Sequence, residues 1–320
     1  MKKIEINQND VDQRIDNLLI KIFPKLNKVL VYKALRNKQI KVNRKKVEHN
    51  YRVQLNDVIE IYLNDDLLVK EVQSSFKNAK DELVVVYEDN NVIVVNKPID
   101  LMVHEDNENS TNDTLINRIK KYLYNKGEWN PEIENHFTPA LGHRLDRNTS
   151  GLLITAKNAI ALKSLQHAFK HHEVKKNYLA LITGILENDQ PYSIKLYLED
   201  LENGFVSVYD TIKPNAKEAI TKFRIIRHIS NKYSLVDVQL ITGRKHQIRA
   251  SFNWLGFPIV GEQKYISKHH DKDKRFRNQC LVSYKLQMDI KDKEDPLFYL
   301  NKKIFQLPES SIWFLKKLEK

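Results

Sequence analysis

Eight short apolar runs, rich in β-branched residues, dominate the chain between residues 83 and 240. Polar or turn residues bound each run and few helical patterns separate them, which is typical of an α+β domain with a mixed, mainly antiparallel sheet. We therefore predict such a domain over residues 82–320, with helices flanking the sheet. The runs are LVVVY, VIVVN, LLIT, YLALIT, SIKLYL, FVSVY, AITKFRII and LVDVQL, and the helices are expected over 114–123, 159–169, 246–254 and from Pro308 onwards.

Residues 1–65 have a different pattern, which indicates a small α/β module. Two short amphipathic helices are followed by short strands, and Asp10 is the expected N-cap of the first helix. Residues 66–81 lack clear periodicity and end in polar residues, so we expect a linker there. The predicted elements of the module are helices over 10–22 and 28–37 and strands over 40–43 and 57–62.

The charge of the chain favours a polyanionic partner. The net charge is +12, and residues 1–65 contribute half of it, with 14 Lys and Arg against 8 Asp and Glu. Nucleic acid and an anionic membrane surface both fit this balance, while a lysine-rich solvated surface is the alternative. The single cysteine excludes an internal disulfide framework. No apolar stretch approaches the roughly 18 residues that span a bilayer, so we expect a cytoplasmic protein without a membrane partner.

Common catalytic signatures are missing from the sequence. There is no G-x-x-x-x-G-K-[ST] or G-x-G-x-x-G loop, no H-E-x-x-H and no G-x-S-x-G. The chain has eight glycines, and its eleven histidines are scattered. We therefore predict no nucleotide, no metal ion and no other cofactor.

Two arginine-rich turns stand out, each at the edge of a predicted strand. In HRLDR, Asp146 lies between Arg144 and Arg147, directly before an apolar run; TGRKHQIR, residues 242–249, follows LVDVQL and begins a helix. If the turns meet across a cleft, an arginine of the second would keep Asp146 ionised when substrate excludes water. Such a carboxylate is a candidate nucleophile or base. A surface ion-pair cluster is the alternative, and spacing alone does not decide between them.

HRLDRNTSGLLITAKN, residues 143–158, resembles the catalytic motif of RNA pseudouridine synthases of the RluA type, which modify large-subunit ribosomal RNA. Three further blocks match that family in the same order: YEDNNVIVVNKPIDLMVH, VKKNYLALITG and TGRKHQIRASFNWLGFPIVGEQKY. The N-terminal module resembles the αL-type RNA-binding domain named after ribosomal protein S-four. Together the resemblance spans about residues 10–300. It implies a pseudouridine synthase core preceded by an RNA-binding module.

The resemblance also implies the chemistry and its residues. The enzyme would be an isomerase that breaks the N1–C1′ bond of a uridine, turns the uracil over and joins C5 to C1′. Asp146 would act beside C1′, as nucleophile or as base. Tyr178 would stack on the uracil and relay the C5 proton. Arg249 would pair with Asp146, and Ile248 would pack near the base.

Other residues are expected to bind RNA. Arg144 would contact a phosphate or fill the gap left by the flipped nucleotide, while Arg147 and the 149–151 turn would support Asp146. Lys176 is placed with the substrate-binding residues. On the module, the predicted RNA contacts are Lys33, Arg36 and Arg44. The expected partner is large-subunit ribosomal RNA or a pre-ribosomal particle in a bacterial cell, bound by a monomer; a transfer-RNA synthase and a non-catalytic ribosome assembly factor are the alternatives.

The sequence departs from the family pattern in two places. Lys38 and Arg44 stand where the module usually has turn glycines, and we expect the neighbouring Asn37 and Asn43 to take the positive φ angles. Near the C-terminus, CLVSYKLQM (residues 280–288) matches the family's L-H-A-x-x-L stretch only loosely. The resemblance therefore gives no prediction for that edge of the cleft.

Overall fold

The computed structural model describes residues 1–71, 74–105, 113–187, 191–265 and 273–318. Its N-terminal part is a three-stranded antiparallel sheet with two helices packed on one face. Buried aliphatic side chains from both helices and all three strands form its core. Its elements are β1 Lys2–Glu5, α1 Ile15–Ile22, α2 Lys28–Arg36, β2 Ile40–Val42 and β3 Val58–Ile61, with strand order β1-β3-β2.

The prediction that Asp10 caps α1 is wrong. The helix begins at Ile15, and the chain turns sharply before it, with Asp12 in the left-handed region at φ 65°. Asp10 is fully buried within that turn, and its carboxylate accepts a hydrogen bond from the backbone N–H of Asn7 at 3.1 Å. Strand β1 was not predicted either, because four residues at a chain end carry too little periodicity.

The large sheet contains eleven strands and includes all eight predicted runs. Every pairing among the described strands is antiparallel except that of β13 with β7. The order is β10-β9-β11-β12-β8-β13-β7-β5-β4, with β14 on β13 and β6 on β7. The strands are β4 Val85–Glu88, β5 Val92–Lys97, β6 Ala140–Leu141, β7 Ser150–Ala156, β8 Val174–Thr183, β9 Tyr192–Asp200, β10 Val206–Tyr209, β11 Lys217–Ile229, β12 Tyr233–Leu240, β13 Leu281–Met288 and β14 Ile304–Gln306.

Four helices accompany this sheet in the described residues: α3 Leu115–Asn125, α4 Ala159–Lys170, α5 Gln247–Trp254 and α6 Leu315–Leu318. Asn158 caps α4 by accepting from the Ala161 N–H at 2.8 Å. The continuous C-terminal helix predicted from Pro308 is wrong. A single 3₁₀ turn ends at Ser311, Ile312 is extended at ψ 110°, and only a short α6 follows. The segment still packs on the domain through the buried side chains of Ile312 and Leu315.

Apolar cores lie on both faces of the large sheet, because alternate strand residues point to opposite sides. On β7, Leu152 faces α4 and the C-terminal segment, whereas Leu153 faces α3 and α5. The fold prediction of a large, mainly antiparallel sheet with flanking helices is therefore confirmed. Among the described residues, no helix combines the length and the apolarity needed to span a membrane.

Candidate active site

The Asp146 turn is held against the centre of the sheet. The Thr149 N–H donates to the Asp146 carbonyl at 3.0 Å, and Gln279 Nε2 donates to Thr149 Oγ1 at 2.6 Å. Gly151, the second residue of β7, has φ +116°, and a Cβ atom there would lie 2.2 Å from the Ser283 carbonyl oxygen. Only glycine permits this approach of β13, which explains why the turn ends in Ser-Gly.

The second arginine-rich turn is fixed by the side chain of Gln247. Its Oε1 accepts from Thr242 Oγ1 at 2.9 Å and from the Arg244 N–H at 3.0 Å, while its Nε2 donates to the Ile220 carbonyl at 3.0 Å. His246 enters α5 in the left-handed conformation at φ 51°. The network fixes the start of α5 against β11, and it thereby positions the first turn of the helix, which carries Arg249.

Asp146 and Arg249 meet although 103 residues separate them. Arg249 Nη1 donates to Asp146 Oδ2 at 2.9 Å. The rest of the guanidinium is held by Glu262, because Nε donates to Oε2 at 2.7 Å and Nη2 donates to Oε1 at 2.8 Å. The Asp146 side chain is 29% exposed, whereas that of Glu262 is 1% exposed. Glu262 thus fixes the position of the arginine, which presents its Nη1 to a partly exposed carboxylate.

Glu262 was not identified from the sequence. Burial opposes its ionisation, but the bidentate Arg249 and the backbone N–H groups of Gln263 and Lys264 hold its pKa below the ordinary value. The available signal was an isolated carboxylate directly after the apolar stretch FPIVG. A charge in such a position is rarely buried without a partner.

His246 lies on the other side of the carboxylate. Its Nε2 is 3.7 Å from Asp146 Oδ2, and its Nδ1 is 2.5 Å from the Tyr265 hydroxyl. Burial lowers the pKa of His246 to about 4, against the opposing attraction of Asp146, so the imidazole is neutral at neutral pH. Burial likewise raises the pKa of Tyr265 to about 12. Arg249 is therefore the cation that contacts Asp146 directly.

Tyr178 and Ile248 both lie in the buried wall of this region. Tyr178 is on β8, and burial raises its pKa above the ordinary value; the nearby Asp146 carboxylate raises it further. The phenol is therefore protonated at neutral pH. Ile248 is on α5 and belongs with Tyr178 to the core between the sheet, α3 and α5.

The other residues of the catalytic part that were predicted to contact RNA or to support Asp146 are Arg144, Arg147 and Lys176. Arg144 is exposed. Arg147 is also exposed, and its Nε donates to Asp100 Oδ1 at 2.9 Å. Lys176 is half-buried, and burial lowers its pKa. Gly243 makes room for it, because a Cβ atom at Gly243 would lie 3.2 Å from Lys176 Nζ.

His143 begins the HRLDR turn, and its ring packs in the protein instead of supporting Asp146 by hydrogen bonds. Both of its ring nitrogens are buried without a hydrogen-bond partner in the described part of the chain. Its ring packs instead against Phe169, with the ring centroids 4.8 Å apart. Burial lowers the pKa of His143 to about 3, so the ring is neutral.

Lys97 is a fully buried lysine behind the catalytic turn. Its Nζ donates to the carbonyls of Leu101 at 2.7 Å, Arg147 at 2.8 Å and Pro98 at 3.0 Å. Burial lowers its pKa to about 7. The lysine therefore connects the loop after β5 to the residue that follows Asp146.

Lys33, Arg36 and Arg44 lie on the N-terminal part, outside this cleft, and all three are exposed. Lys33 and Arg36 line a groove with Tyr32 and His49, whose ring centroids are 4.5 Å apart.

The expectation that asparagines carry the turn conformations there is only partly right. Asn43 has φ 50°, but Asn37 has φ −81°, and Lys38 and Arg44 themselves adopt φ 59° and φ 65°. Two long cationic side chains thus occupy a conformation that usually selects glycine, which carries a strain cost.

Among the described residues, no group of three or more His, Cys, Asp and Glu side chains is placed to hold a metal ion. The carboxylate of Asp146 lies 2.9 Å from Arg249 Nη1 and 3.7 Å from His246 Nε2.

Comparisons with known proteins agree on one family. Residues 91–254 match the family model described as RNA pseudouridylate synthase. An uncharacterized RNA pseudouridine synthase of Mycoplasma capricolum is 34% identical over 95% of this chain and 96% of the relative. Ribosomal large subunit pseudouridine synthase C of Rickettsia bellii is 34% identical over 80% of this chain and 83% of its own.

A solved structure supports the fold. Human RNA pseudouridylate synthase domain containing 1 superimposes with a TM-score of 0.53 at 23% identity, covering 78% of this chain and 97% of the human one. The catalytic part, its four ordered motifs and these relatives lead to one conclusion: the chain belongs to the RNA pseudouridylate synthase family, isomerases that act on RNA.

Proposed function

We propose that this enzyme converts specific uridines of large-subunit ribosomal RNA to pseudouridine, with Asp146 as the catalytic residue. The observation that carries the proposal is the chain of contacts from Glu262 through Arg249 to Asp146. These contacts fix the position of a partly exposed carboxylate. The relatives named as large-subunit pseudouridine synthases favour ribosomal RNA as the substrate.

The proposed reaction begins when Asp146 attacks C1′ or removes a proton beside it, and the N1–C1′ bond breaks. The detached uracil turns over, and C5 bonds to C1′ as the Asp146–C1′ bond breaks or, in the base route, as the removed proton returns to C2′. The C5 proton then leaves while N1 gains a proton. Uracil retention falls to Tyr178, because stacking is worth about 1–3 kcal/mol per base. Its protonated phenol can also relay the C5 proton. Arg249 keeps Asp146 charged when the substrate displaces water.

RNA binding is proposed to involve both parts of the chain. Extruding a nucleotide costs a few kcal/mol, which backbone contacts must offset. Arg144, exposed beside Asp146, would bind a phosphate or fill the vacated place in the helix, with Lys176 alongside. We assign the N-terminal part as an S-four-like RNA-binding module. Its exposed Lys33, Arg36 and Arg44, together with the Tyr32–His49 groove, support that assignment.

Two alternative functions lead to different outcomes in one experiment. Carbodiimide-blocked reverse transcription would map pseudouridines in RNA from bacterial cells with and without the gene. We expect specific large-subunit sites to disappear without the gene and to return with the wild-type gene, but not with Asp146→Asn. Loss of transfer-RNA sites alone would support the transfer-RNA alternative. Unchanged pseudouridines with altered ribosome assembly would support a non-catalytic assembly factor. We further propose that the enzyme acts as a cytoplasmic monomer.

A further inference from the structure

The N-terminal module meets the catalytic part through a turn rich in asparagine. Both carboxylate oxygens of Glu134 accept hydrogen bonds across the contact: Oε2 from Asn7 Nδ2 at 3.2 Å and Oε1 from Asn9 Nδ2 at 3.0 Å. In the opposite direction, Asn135 Nδ2 donates to Asp10 Oδ2 at 2.6 Å and to the Glu5 carbonyl at 2.8 Å. We call the residues 5–10 and 134–136 the latch.

The latch is connected to the element that packs behind the catalytic strand. Asn9 Oδ1 accepts from the Ala159 N–H at 2.9 Å, and Ala159 is the first residue of α4. Free N–H groups at a helix start need a partner, so a residue of the module completes the cap of a catalytic helix. Helix α4 packs on β7, which begins four residues after Asp146. The module is therefore joined by polar contacts to the framework of the active site.

Two further features indicate that the contact is a specific one. Asp10 is fully buried in the latch, and His136 Nδ1 lies 3.3 Å from its Oδ1. Asp10 Oδ2 accepts hydrogen bonds from the Asn7 N–H on one side of the contact and from Asn135 on the other, so burial of this carboxylate depends on how the two surfaces meet. Lys70, in the segment that joins the two parts, donates from Nζ to the carbonyls of Pro131, at 2.7 Å, and Glu134. The connecting segment is thus fixed at the same place.

We propose that the latch holds the module in one orientation on the catalytic part and thereby determines which uridine reaches Asp146. The inference rests on the proposed function. If the module were flexibly tethered, its basic face would lie at many different distances from Asp146. RNA bound to the module could then bring many different uridines to Asp146, each at a low effective concentration. A latched module offers a single span between the RNA that it binds and the uridine that Asp146 can reach. The asparagine turn is accordingly a specificity-determining element, not a catalytic one.

The test uses the full chain with the double variant Glu134→Ala and Asn135→Ala, which removes the four hydrogen bonds that these two side chains make across the latch. Glu132→Ala is the matched control, because that carboxylate is exposed and lies outside the latch. Spin labels at Asn50→Cys and Lys163→Cys, both exposed positions on opposite sides of the contact, report the distance by double electron–electron resonance. The native Cys280 is buried and can stay in place.

We expect one narrow distance distribution for the wild type and for Glu132→Ala, and a broad one for the double variant. Turnover of a short RNA containing the target uridine should stay within about twofold, while modification of that site in intact ribosomal RNA falls about tenfold or moves to other uridines. A narrow distribution in the double variant would overturn the latch. A broad distribution with unchanged site choice would overturn its role in specificity.

If the double variant does not fold, Asn135→Ala alone removes two of the contacts and takes its place. Failure of the proposed function has a different signature. A wild-type enzyme that forms no pseudouridine in any RNA would contradict the activity, while the distance measurement would still decide whether the latch exists.

Discussion

The cleft and the basic face of the N-terminal module use positive charge in opposite ways. In the cleft, Arg249 is nearly buried and its guanidinium is shared between two carboxylates at 2.7–2.9 Å. On the module, Lys33 and Arg36 are exposed beside an open groove. Buried charge in a fixed geometry controls the ionisation and direction of a neighbour. Exposed charge is screened and acts mainly through summed attraction to a polyanion. Single substitutions should therefore have large effects in the cleft and small, additive effects on the module.

The largest effect is expected for Asp146→Asn, which removes charge with almost no change in volume. Turnover should fall by about 10³-fold or more, since the reacting group itself is removed, while RNA affinity and folding persist. Tritium release from ribosomal RNA labelled at uridine C5 measures the decrease. Asp100→Asn, at an exposed carboxylate paired with Arg147, is the matched control and should keep near-normal turnover. Comparable rates for the two variants would contradict the role of Asp146.

Arg249→Met should damage stability as well as turnover. It leaves Glu262 buried without its bidentate partner, which costs about 3–5 kcal/mol of unfolding free energy. Urea unfolding of the single variants and of the double variant Arg249→Met with Glu262→Met tests this. The double variant should regain most of the stability and none of the activity. Strictly additive losses would show that the two residues are not coupled.

An effect of intermediate size, on stability, is expected from the protonation of His246 at acidic pH. Its pKa is near 4 when folded, below the ordinary value of about 6.5, so the unfolded chain binds more protons between these values. Stability should therefore fall as the pH drops from 6.5 towards 4, by about 2 kcal/mol at pH 5 from this group. His246→Gln should reduce the difference between urea unfolding at pH 7 and at pH 5. An undiminished difference in the variant would show that His246 is not the group responsible.

The smallest effect is expected on the module. Lys33→Gln with Arg36→Gln should weaken ribosomal RNA binding and lower the salt slope of log affinity by about 0.7–0.9 for each phosphate that the variant no longer neutralises. Turnover of a saturating short RNA should remain close to that of the wild type. Lys291→Gln with Lys293→Gln removes two exposed charges elsewhere and serves as the control. Equal salt slopes for both pairs would show that the module face is ordinary solvated surface.

Local patterns were enough to predict much of the catalytic part. Its eight apolar runs are strands because β-branched alternation is a local signal. Strand β13 was missed, although it lies at the centre of the sheet between β8 and β7. Its half-buried Tyr284 and Lys285 interrupt the apolar run, and pairing with strands about a hundred residues or more earlier in the chain leaves no local trace.

The candidate site also combines features that a local pattern predicts with features that depend on distant parts of the chain. From the sequence we could say only as a hypothesis that the two arginine-rich turns face each other, because each lies at the edge of a predicted strand. The ion pair of Arg249 with Glu262 and the hydrogen bonds from Lys97 to backbone carbonyls could not be predicted, because both depend on how distant loops pack. In the sequence, the sign of each contact was a charged residue next to an apolar run: Glu262 after FPIVG and Lys97 after VIVVN.

The position of β13 has a consequence for how the chain folds. Its residues pair with Ser150 on one side and with Ala180 on the other, yet they begin only at residue 281 of 320. Pairings of such high contact order form slowly, and they cannot form at all until the segment has been synthesised. A nascent chain therefore carries β7 and β8 with two open edges, which are liable to pair with other chains. The catalytic turn stays without its support until β13 enters the gap, so an active site cannot form before the segment from residue 281 onwards has been synthesised.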